Sequence, residues 1–560
     1  MLYKVKMPDF HINYPFVMIV RFALVAVLGL ASMLMNAGRG EAGPRDDMLY
    51  WSTGAEFENI SPYYDFRPEV EIFSHLVWDR LFYREPNSPT FKPHLATKMK
   101  WVGITTVEID LRKDVVFHNG DRFSADDIIE MVRRLKNAEL GTPEHRAIKW
   151  IGKIKKLASH RVRVDLTRPM PQLRELLSGS FPIIPRAAWR AAPMDGNGRP
   201  DYTRMPPIGS GPYRVSGIEP GSSIELERFR KYHKGPKGRP AIGRIMFSTV
   251  ANPQERREQL LDGRIDWLGG LSKEAYEQMK NEGVSIKLVK SPSLRIAFLL
   301  MDRAGRNDEK SPFRDIRIRR AVAHAINRPE IAFNIFGTAS KVMHSLCHPK
   351  QAGCEQDVRR YKYDPAKARM LLRAAGYGPA GDSRLVDRLN NLAERLPGKS
   401  PETKKRLRSI VADIVSYRNH PASEAMSLYL KAIGVDSTVD DYRSFETARR
   451  RLQSGSFDLA HMTWASHGAL DVAEILNPLF RDGPFDYCRD REVNRWLDVA
   501  ANTNNAKARA RAYSNALKRL QELVCVVPLF NYTTFYAHSR RLDFQPALDD
   551  IPRFYRAKWK

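Results

Sequence analysis

Alternating and helical patterns of apolar side chains recur along almost the whole chain. Thr105–Leu111 (TTVEIDL) carries apolar residues at every second position, the pattern of a half-buried strand. Ser124 then stands where a helix N-cap belongs, with Asp127 three residues on and Ile128, Ile129, Val132 and Leu135 behind it. That spacing predicts a helix opened by reciprocal capping. Ile318, Ala321, Val322, Ala325 and Ile326 repeat at helical intervals and predict a second amphipathic helix. Arg317, Arg319 and Arg320 fall off that stripe and are expected on a solvated basic face. A third helix, Pro365–Ala375, is bounded by Asp364 as N-cap, Pro365 at the first helical position and Gly376 as the left-handed C-terminal cap. Residues 383–407 are densely charged and predict an exposed helical hairpin or loop, after which Ile410–Val415 resumes as a strand. Gly- and Pro-rich stretches at 194–212 and 234–242 are expected to be crossovers between lobes. No fixed-period repeat is visible. Strands and helices alternate throughout, so the fold class is α/β.

The N-terminus follows a different pattern. Phe22–Met35 is an apolar run of fourteen residues, preceded by Lys4, Lys6 and Arg21 and followed by Gly40 and Ala42 in the small-residue positions before Gly43. Residues 1–42 are expected to be a cleaved signal peptide. As a helix the run covers about 21 Å, short of the roughly 30 Å hydrocarbon core of a bilayer. The mature protein is therefore expected to be soluble and exported, with no stable membrane insertion. No cysteine precedes Cys347, which excludes a lipid-modified N-terminal cysteine.

A chain of 560 residues that is 43% apolar can bury large cores and suggests roughly three structural units at ~150 residues each. Its 91 Lys and Arg against 64 Asp and Glu give a net charge of +27. Such a surplus prompts a nucleic-acid reading, but charge speaks to association and not to fold, and an exported chain does not meet genomic DNA. An oxidising compartment would let Cys347 and Cys354 pair around their short polar loop, whereas Cys488 and Cys525 offer no sequence clue to pairing. His348 beside Cys347 matches no structural zinc spacing.

Catalytic motifs are missing from the sequence. It holds no G-x-S-x-G elbow, no Gly-rich phosphate loop ending in Lys-Ser/Thr and no H-E-x-x-H, and His118, His324, His344, His348 and His467 are scattered. The expectation is a protein that is not an enzyme and needs neither cofactor nor metal.

One segment is specific. Leu111–Ile128 (LRKDVVFHNGDRFSADDI) resembles the signature of the family 5 extracellular solute-binding proteins, the peptide- and nickel-binding components of ABC importers. Gly209-Ser210-Gly211-Pro212-Tyr213, Leu226-Glu227-Arg228 with Tyr232, and Asp262-Gly263-Arg264-Ile265-Asp266 resemble further segments of that family in the same order. So do Phe313–Ala321 with Ala325-Ile326-Asn327-Arg328, and Asp364–Ala368 with Ala375-Gly376-Tyr377. The resemblance implies a two-lobed periplasmic binding protein (type II, cluster C-like) with an extra domain. Lobe I would comprise 43–75, 205–290 and 520–560, the extra domain 76–204 and lobe II 291–519. It further implies a periplasmic monomer that closes on its ligand and delivers it to an ABC permease and its ATPase subunits, with no nucleic-acid partner.

Peptide binders of the family carry an acidic residue shortly after a Trp of the second lobe, which holds the peptide ammonium. Here that stretch reads Thr463-Trp464-Ala465-Ser466-His467-Gly468, with Ser466 in the acidic position and Asp471 five residues on, in reach only through a shifted loop. The candidate ligand-binding residues are Trp464, Ser466 and His467, joined by Tyr63, Asp65 and Arg67 at the cleft edge of the first lobe. A peptide is the first expectation. A non-peptide anionic ligand (an opine, a haem-like dicarboxylate or a sugar conjugate) is the alternative that Ser466 and the basic surface favour.

Overall fold

The computed structural model describes residues 46–54, 60–65, 67–137, 148–196, 199–202, 205–378, 410–417, 420–465 and 469–560. The signal segment 1–42, the charged segment 383–407 and Ser466–Gly468 lie outside the described residues. In chain order the strands begin with β1 (Met48–Thr53), β2 (Phe82–Arg84), β3 (Phe91–Pro93), β4 (Ala96–Trp101), β5 (Thr106–Leu111), β6 (Ile151–Ala158), β7 (Arg161–Leu166) and β8 (Tyr213–Glu219). They continue with β9 (Ser223–Arg228), β10 (Arg244–Thr249), β11 (Trp267–Leu271), β12 (Lys287–Met301), β13 (Ile410–Tyr417), β14 (Val435–Tyr442), β15 (Leu459–Trp464) and β16 (Val526–His538).

Ten strands form one mixed sheet in the order β14-β13-β15-β12-β16-β11-β1-β10-β9-β8. A separate antiparallel sheet, β4-β5-β7-β6, lies in the chain between β1 and β8. The two long strands β12 and β16 run through the middle of the large sheet, each pairing with neighbours from both of its halves. Along β12, Ile296, Phe298 and Leu300 enter one hydrophobic core while Ala297, Leu299 and Met301 enter another on the opposite face. Burial on both faces accounts for the unbroken apolar run there, since successive side chains of a strand point to opposite sides. The first half of the sheet shares a third and larger core with the four-stranded sheet.

Local punctuation is obeyed. Ser124 caps Ala125–Leu135 with the reciprocal Asp127 bond in place. Asp364 accepts from the Lys367 amide to open Pro365–Ala374, and Gly376 follows at φ +87°. The stripe at 318–326 forms the helix Ile316–Ala325, but its basic residues do not share one face. Arg317 is exposed and Arg320 half-buried, whereas Arg319 is buried. This corrects the expectation of a wholly solvated face: the Arg319 guanidinium donates to the carbonyls of Leu523, Phe313 and Arg314, so tertiary acceptors draw it inward. Cys347 pairs with Cys354, and Cys488 with Cys525.

Two of the resembling segments meet in space. His118, from the His-Asn-Gly-Asp turn, accepts from the Gly209 amide at Nδ1, 3.2 Å, and donates from Nε2 to the Gly211 carbonyl, 3.1 Å. Burial pushes the imidazole down to about 4, so it stays neutral and can do both. A Cβ on Gly209 would lie 1.9 Å from the Val77 carbonyl oxygen, and one on Gly211 2.2 Å from that of Leu76. Backbone packed against backbone leaves room for glycine alone at both positions.

Asp266, from another of those segments, accepts from the Tyr50 amide of β1 at 2.9 Å and is 1% exposed. Burial pushes its carboxyl up to about 7, with Asp46 adding to the effect and the Tyr50 hydrogen bond opposing it. A carboxyl raised above its unfolded value of about 3.9 disfavours folding increasingly as pH climbs from about 4 through about 7, by about 2–4 kcal/mol at pH 8. Asn at this position keeps the acceptor for Tyr50 and removes the charge. Asp266→Asn is therefore expected to raise the melting temperature at pH 8 and to change it much less at pH 4.5, read by calorimetry at both pH values. An equal change at the two would disprove the buried ionisation.

Candidate ligand-binding cleft

Among the described residues the two halves of the sheet join only where β12 and β16 pass side by side, and there the ladder breaks. Pairing runs from Lys287↔His538 to Pro292↔Thr533, then resumes at Ile296↔Asn531. Ser293, in the gap, donates to Asp550 Oδ2 at 2.6 Å, and Thr534 of β16 donates to Asp550 Oδ1 at 2.6 Å. One carboxylate thus ties both crossing strands at their least regular point. Asp550 holds φ +63°, an uncommon backbone for a non-glycine residue, and burial raises its carboxyl pKa. The residues in the gap are themselves bonded: the Leu294 amide donates to the Leu548 carbonyl at 2.7 Å and the Arg295 amide to Ser293 Oγ at 3.0 Å.

Trp464 closes β15 opposite Ile296, the first residue after the gap. It is half-buried, and its indole Nε1 donates to the Glu474 carbonyl at 2.8 Å, which fixes the ring beside the gap. Ser466 and His467 follow outside the described residues. The first-half candidates sit elsewhere. Tyr63 is 2% exposed and its hydroxyl donates to the Pro182 carbonyl at 2.7 Å, so it belongs to the core around the four-stranded sheet. Asp65 and Arg67 form an ion pair with each other, Nε to Oδ2 2.9 Å.

Asp471 does not stand in for an acidic anchor, which corrects the shifted-loop expectation. Its two oxygens are taken by the Arg509 guanidinium at 2.7 and 2.8 Å, and Oδ1 also accepts from the Ala473 amide at 2.9 Å. The carboxylate is neutralised in place, opening the helix Ala473–Leu479 and tying it to the helix Ala506–Leu523.

Sequence reasoning missed a buried polar cluster behind the first half. Asp79 is fully buried and bonded to Lys237 Nζ at 2.7 Å and to His233 Nε2 at 2.8 Å, with His94 Nε2 3.3 Å away. Asp79, His94 and His233 converge closely enough to hold a metal ion. The Lys237 ammonium already occupies the place of a cation on Asp79, so the donor set is satisfied as an ion-pair cluster. Burial lowers Lys237 to about 8, with Asp79 opposing the fall, and lowers His94 to about 4. Burial alone would raise Asp79, but His94, Lys237 and the His233 hydrogen bond hold it well below the usual carboxylate range.

Comparison with known proteins fits this architecture. The family model of bacterial extracellular solute-binding proteins, family 5 Middle, matches residues 90–487. The dipeptide-binding protein of Escherichia coli is 28% identical over 293 residues, 48% of this chain and 52% of that protein, so the match spans about half that relative's length. Heme-binding protein A of Haemophilus influenzae is 23% identical over 493 residues, 84% of each chain. The structure of HbpA2 from Haemophilus parasuis superposes with a TM-score of 0.76 at 18% identity, covering 92% of this chain and all of that one. That likeness shows the two-lobed binding-protein fold. With most of its length matched by the family model, the chain belongs to the bacterial extracellular solute-binding proteins of family 5, the solute-capturing components of ABC importers.

Proposed function

We propose that the mature chain works in the periplasm as a monomer, captures a peptide or peptide-like small ligand between its lobes and hands it to an ABC permease and its ATPase subunits. The lobes are 43–75 with 205–290 and 520–560 on one side and 291–519 on the other, with 76–204 as the added domain. The observation that carries this reading is the interrupted β12–β16 ladder with Trp464 paired to its edge. A narrow joint between the halves and an aromatic side chain at one place suit a binding event that drives closure without a covalent step. Ser466 and His467, next in the chain to Trp464, remain candidate ligand contacts with it, as do Asp65 and Arg67 on the first half, whereas Tyr63 is spent in the core.

A second reading, capture of a non-peptide anionic ligand, is favoured by Asp471. With that carboxylate neutralised by Arg509 and Ser466 in the acidic position, the stretch offers no negative charge to a peptide ammonium. The same readings separate in one experiment. Protein purified from the periplasm is examined by native mass spectrometry for a retained ligand, then by thermal shift with trialanine, N-acetyl-trialanine, glutathione and haem. A ligand at 100 times its Kd stabilises by about 2.7 kcal/mol, a readable shift. Trialanine and its acetylated form are expected to shift the transition alike, because no ion pair to the ammonium is made. A response to haem alone selects the second reading, and no retained ligand together with no shift overturns both. Ser466→Asp is expected to favour free over acetylated peptide; no such gain would mean the missing carboxylate does not set the preference.

A further inference from the structure

Leu470 belongs to the second half of the molecule by its own bonds. Its carbonyl accepts from the Ala352 amide at 2.9 Å, and the following Val472 and Ala473 lie in the second-half core. Its amide, however, donates at 2.6 Å to Glu175 Oε1, 295 positions away, on the short helix Leu173–Ser178. That helix is anchored by Leu173 and Leu177 in the core of the first half. The Leu470 side chain makes the same crossing, packing with Leu294 at the ladder gap and Leu548 of the C-terminal segment.

Glu175 does not sit there loosely. It is 8% exposed, and Arg84 of β2 approaches its Oε1 at 3.2 Å. Arg84 also reaches Asp549 at 3.4 Å, and Asp549 pairs with buried Arg553 at 2.6 Å. The Leu548 amide beside Asp549 donates to Asn87 Oδ1 at 2.8 Å. The carboxylate therefore rests on a chain of charges built wholly from the first half, with one lone-pair direction turned toward the second. Burial raises its pKa, opposed by Arg84 and by the Leu470 amide.

We infer that Glu175 is the latch that holds the two halves shut, its carboxylate taking the Leu470 amide from across the joint while Arg84 fixes it in place. This inference rests on the two-lobed capture proposed above and names a residue that acts on closure without touching the ligand. Glu175 and Arg84 are positioning residues: they set the ratio of open to closed molecules. Opening leaves the carboxylate and the amide to water, whereas a substitution that removes the acceptor leaves the Leu470 amide unpaired in the closed form, which selectively disfavours that form.

All four cysteines are paired, so spin labels placed by Lys155→Cys on β6 and Lys431→Cys at the end of helix His420–Lys431, both exposed, report the distance between the halves. The measurement uses full-length mature protein with no ligand added. Glu175→Ala is expected to raise the open-to-closed ratio about 10- to 100-fold, seen as growth of the long-distance population. Arg84→Met should shift it in the same direction by less. Glu175→Gln retains an oxygen acceptor for the Leu470 amide and should stay near the parent distribution. An unchanged distribution in Glu175→Ala overturns the latch, as does opening of Glu175→Gln to the full extent of Glu175→Ala. Should Glu175→Ala not fold, Glu175→Leu fills the volume without an acceptor and reads the same contact. Because no ligand enters this measurement, failure of the latch is separate from failure of the thermal-shift screen for capture.

Discussion

Asp79→Asn is expected to destabilise the first half of the molecule by about 3–5 kcal/mol, the loss found when one partner of a buried ion pair is removed. The substitution preserves shape and leaves the Lys237 ammonium without its counter-ion, at 1% side-chain exposure. Lys237 also donates to the His75 carbonyl at 2.7 Å, so it cannot swing out to water without breaking a second buried bond. Asn keeps a single oxygen acceptor, so Lys237, His233 and His94 can no longer all be satisfied there. Asp79 further anchors the chain through its carbonyl, which accepts from Ile183, but Asn leaves that bond untouched.

The partner change behaves differently. Lys237→Met leaves Asp79 beside His94, whose affinity for a proton is lowered by burial and by Lys237 itself, so that removing the ammonium lets this imidazole take up a proton more readily and restore the compensating charge. Its cost is expected to be smaller at pH 5 than at pH 8, because a proton bound on folding supports stability only below the pKa of the group that holds it. Asp79→Asn with Lys237→Met removes both charges and should recover at least 2 kcal/mol of the single-variant loss, a coupling read from a double-mutant cycle in urea. A loss below 1 kcal/mol for Asp79→Asn would show the cluster to be weakly desolvated. A stabilising effect of added zinc or nickel on the parent, absent in His233→Ala, would instead give the three donors to a metal.

What the chain reveals by reading alone stops at local interactions. The capping box at Ser124 and Asp127, the Asp364 and Gly376 ends of the third helix and the strand beginning at Ile410 all depend on neighbours within a few positions, and all stand in the fold. The family resemblance added more than spacing could, since the His-Asn-Gly-Asp turn and the Gly-Ser-Gly-Pro-Tyr turn prove to be two sides of one contact through His118. Long-range pairs left no such trace. Arg319 looks solvated by helical periodicity because its acceptor at Leu523 is 204 positions away. Asp79, His94, His233 and Lys237 are each ordinary polar residues until β2, β3 and the turn after β9 bring them together. Of the candidate site residues, Trp464 is recognisable from its family context, but its place beside the ladder gap requires the register of β12 and β15. Nothing about Tyr63 in the sequence separates a cleft tyrosine from one whose hydroxyl is spent on Pro182.

Arg509→Met is expected to cost about 3–5 kcal/mol in the second half, for the same physical reason as Asp79→Asn but with a different functional readout. The pair is bidentate, 11% and 9% exposed, and Arg509 also donates to the Tyr513 hydroxyl at 3.1 Å and lies 4.9 Å over its ring. Burial would make the guanidinium less basic, yet Asp471 outweighs it and raises the pKa, so the charge is secure at any working pH. Removing it strands Asp471, whose remaining bond to the Ala473 amide caps a helix but does not neutralise the charge. Arg509→Lys keeps the charge and loses the fork, and should cost about 1–2 kcal/mol. Asp471→Asn combined with Arg509→Met should regain most of the loss, because two neutral groups of similar size need no compensation. The functional consequence turns on Leu470, bonded to Asp471 in the chain and to Glu175 across the joint. If Asp471 holds that turn rigid for closure, Arg509→Met widens the distance between labels at 155 and 431 even in molecules that remain folded, and Asp471→Asn with Arg509→Met narrows it again. A fall in stability with an unchanged distance would confine the pair to holding its two helices together.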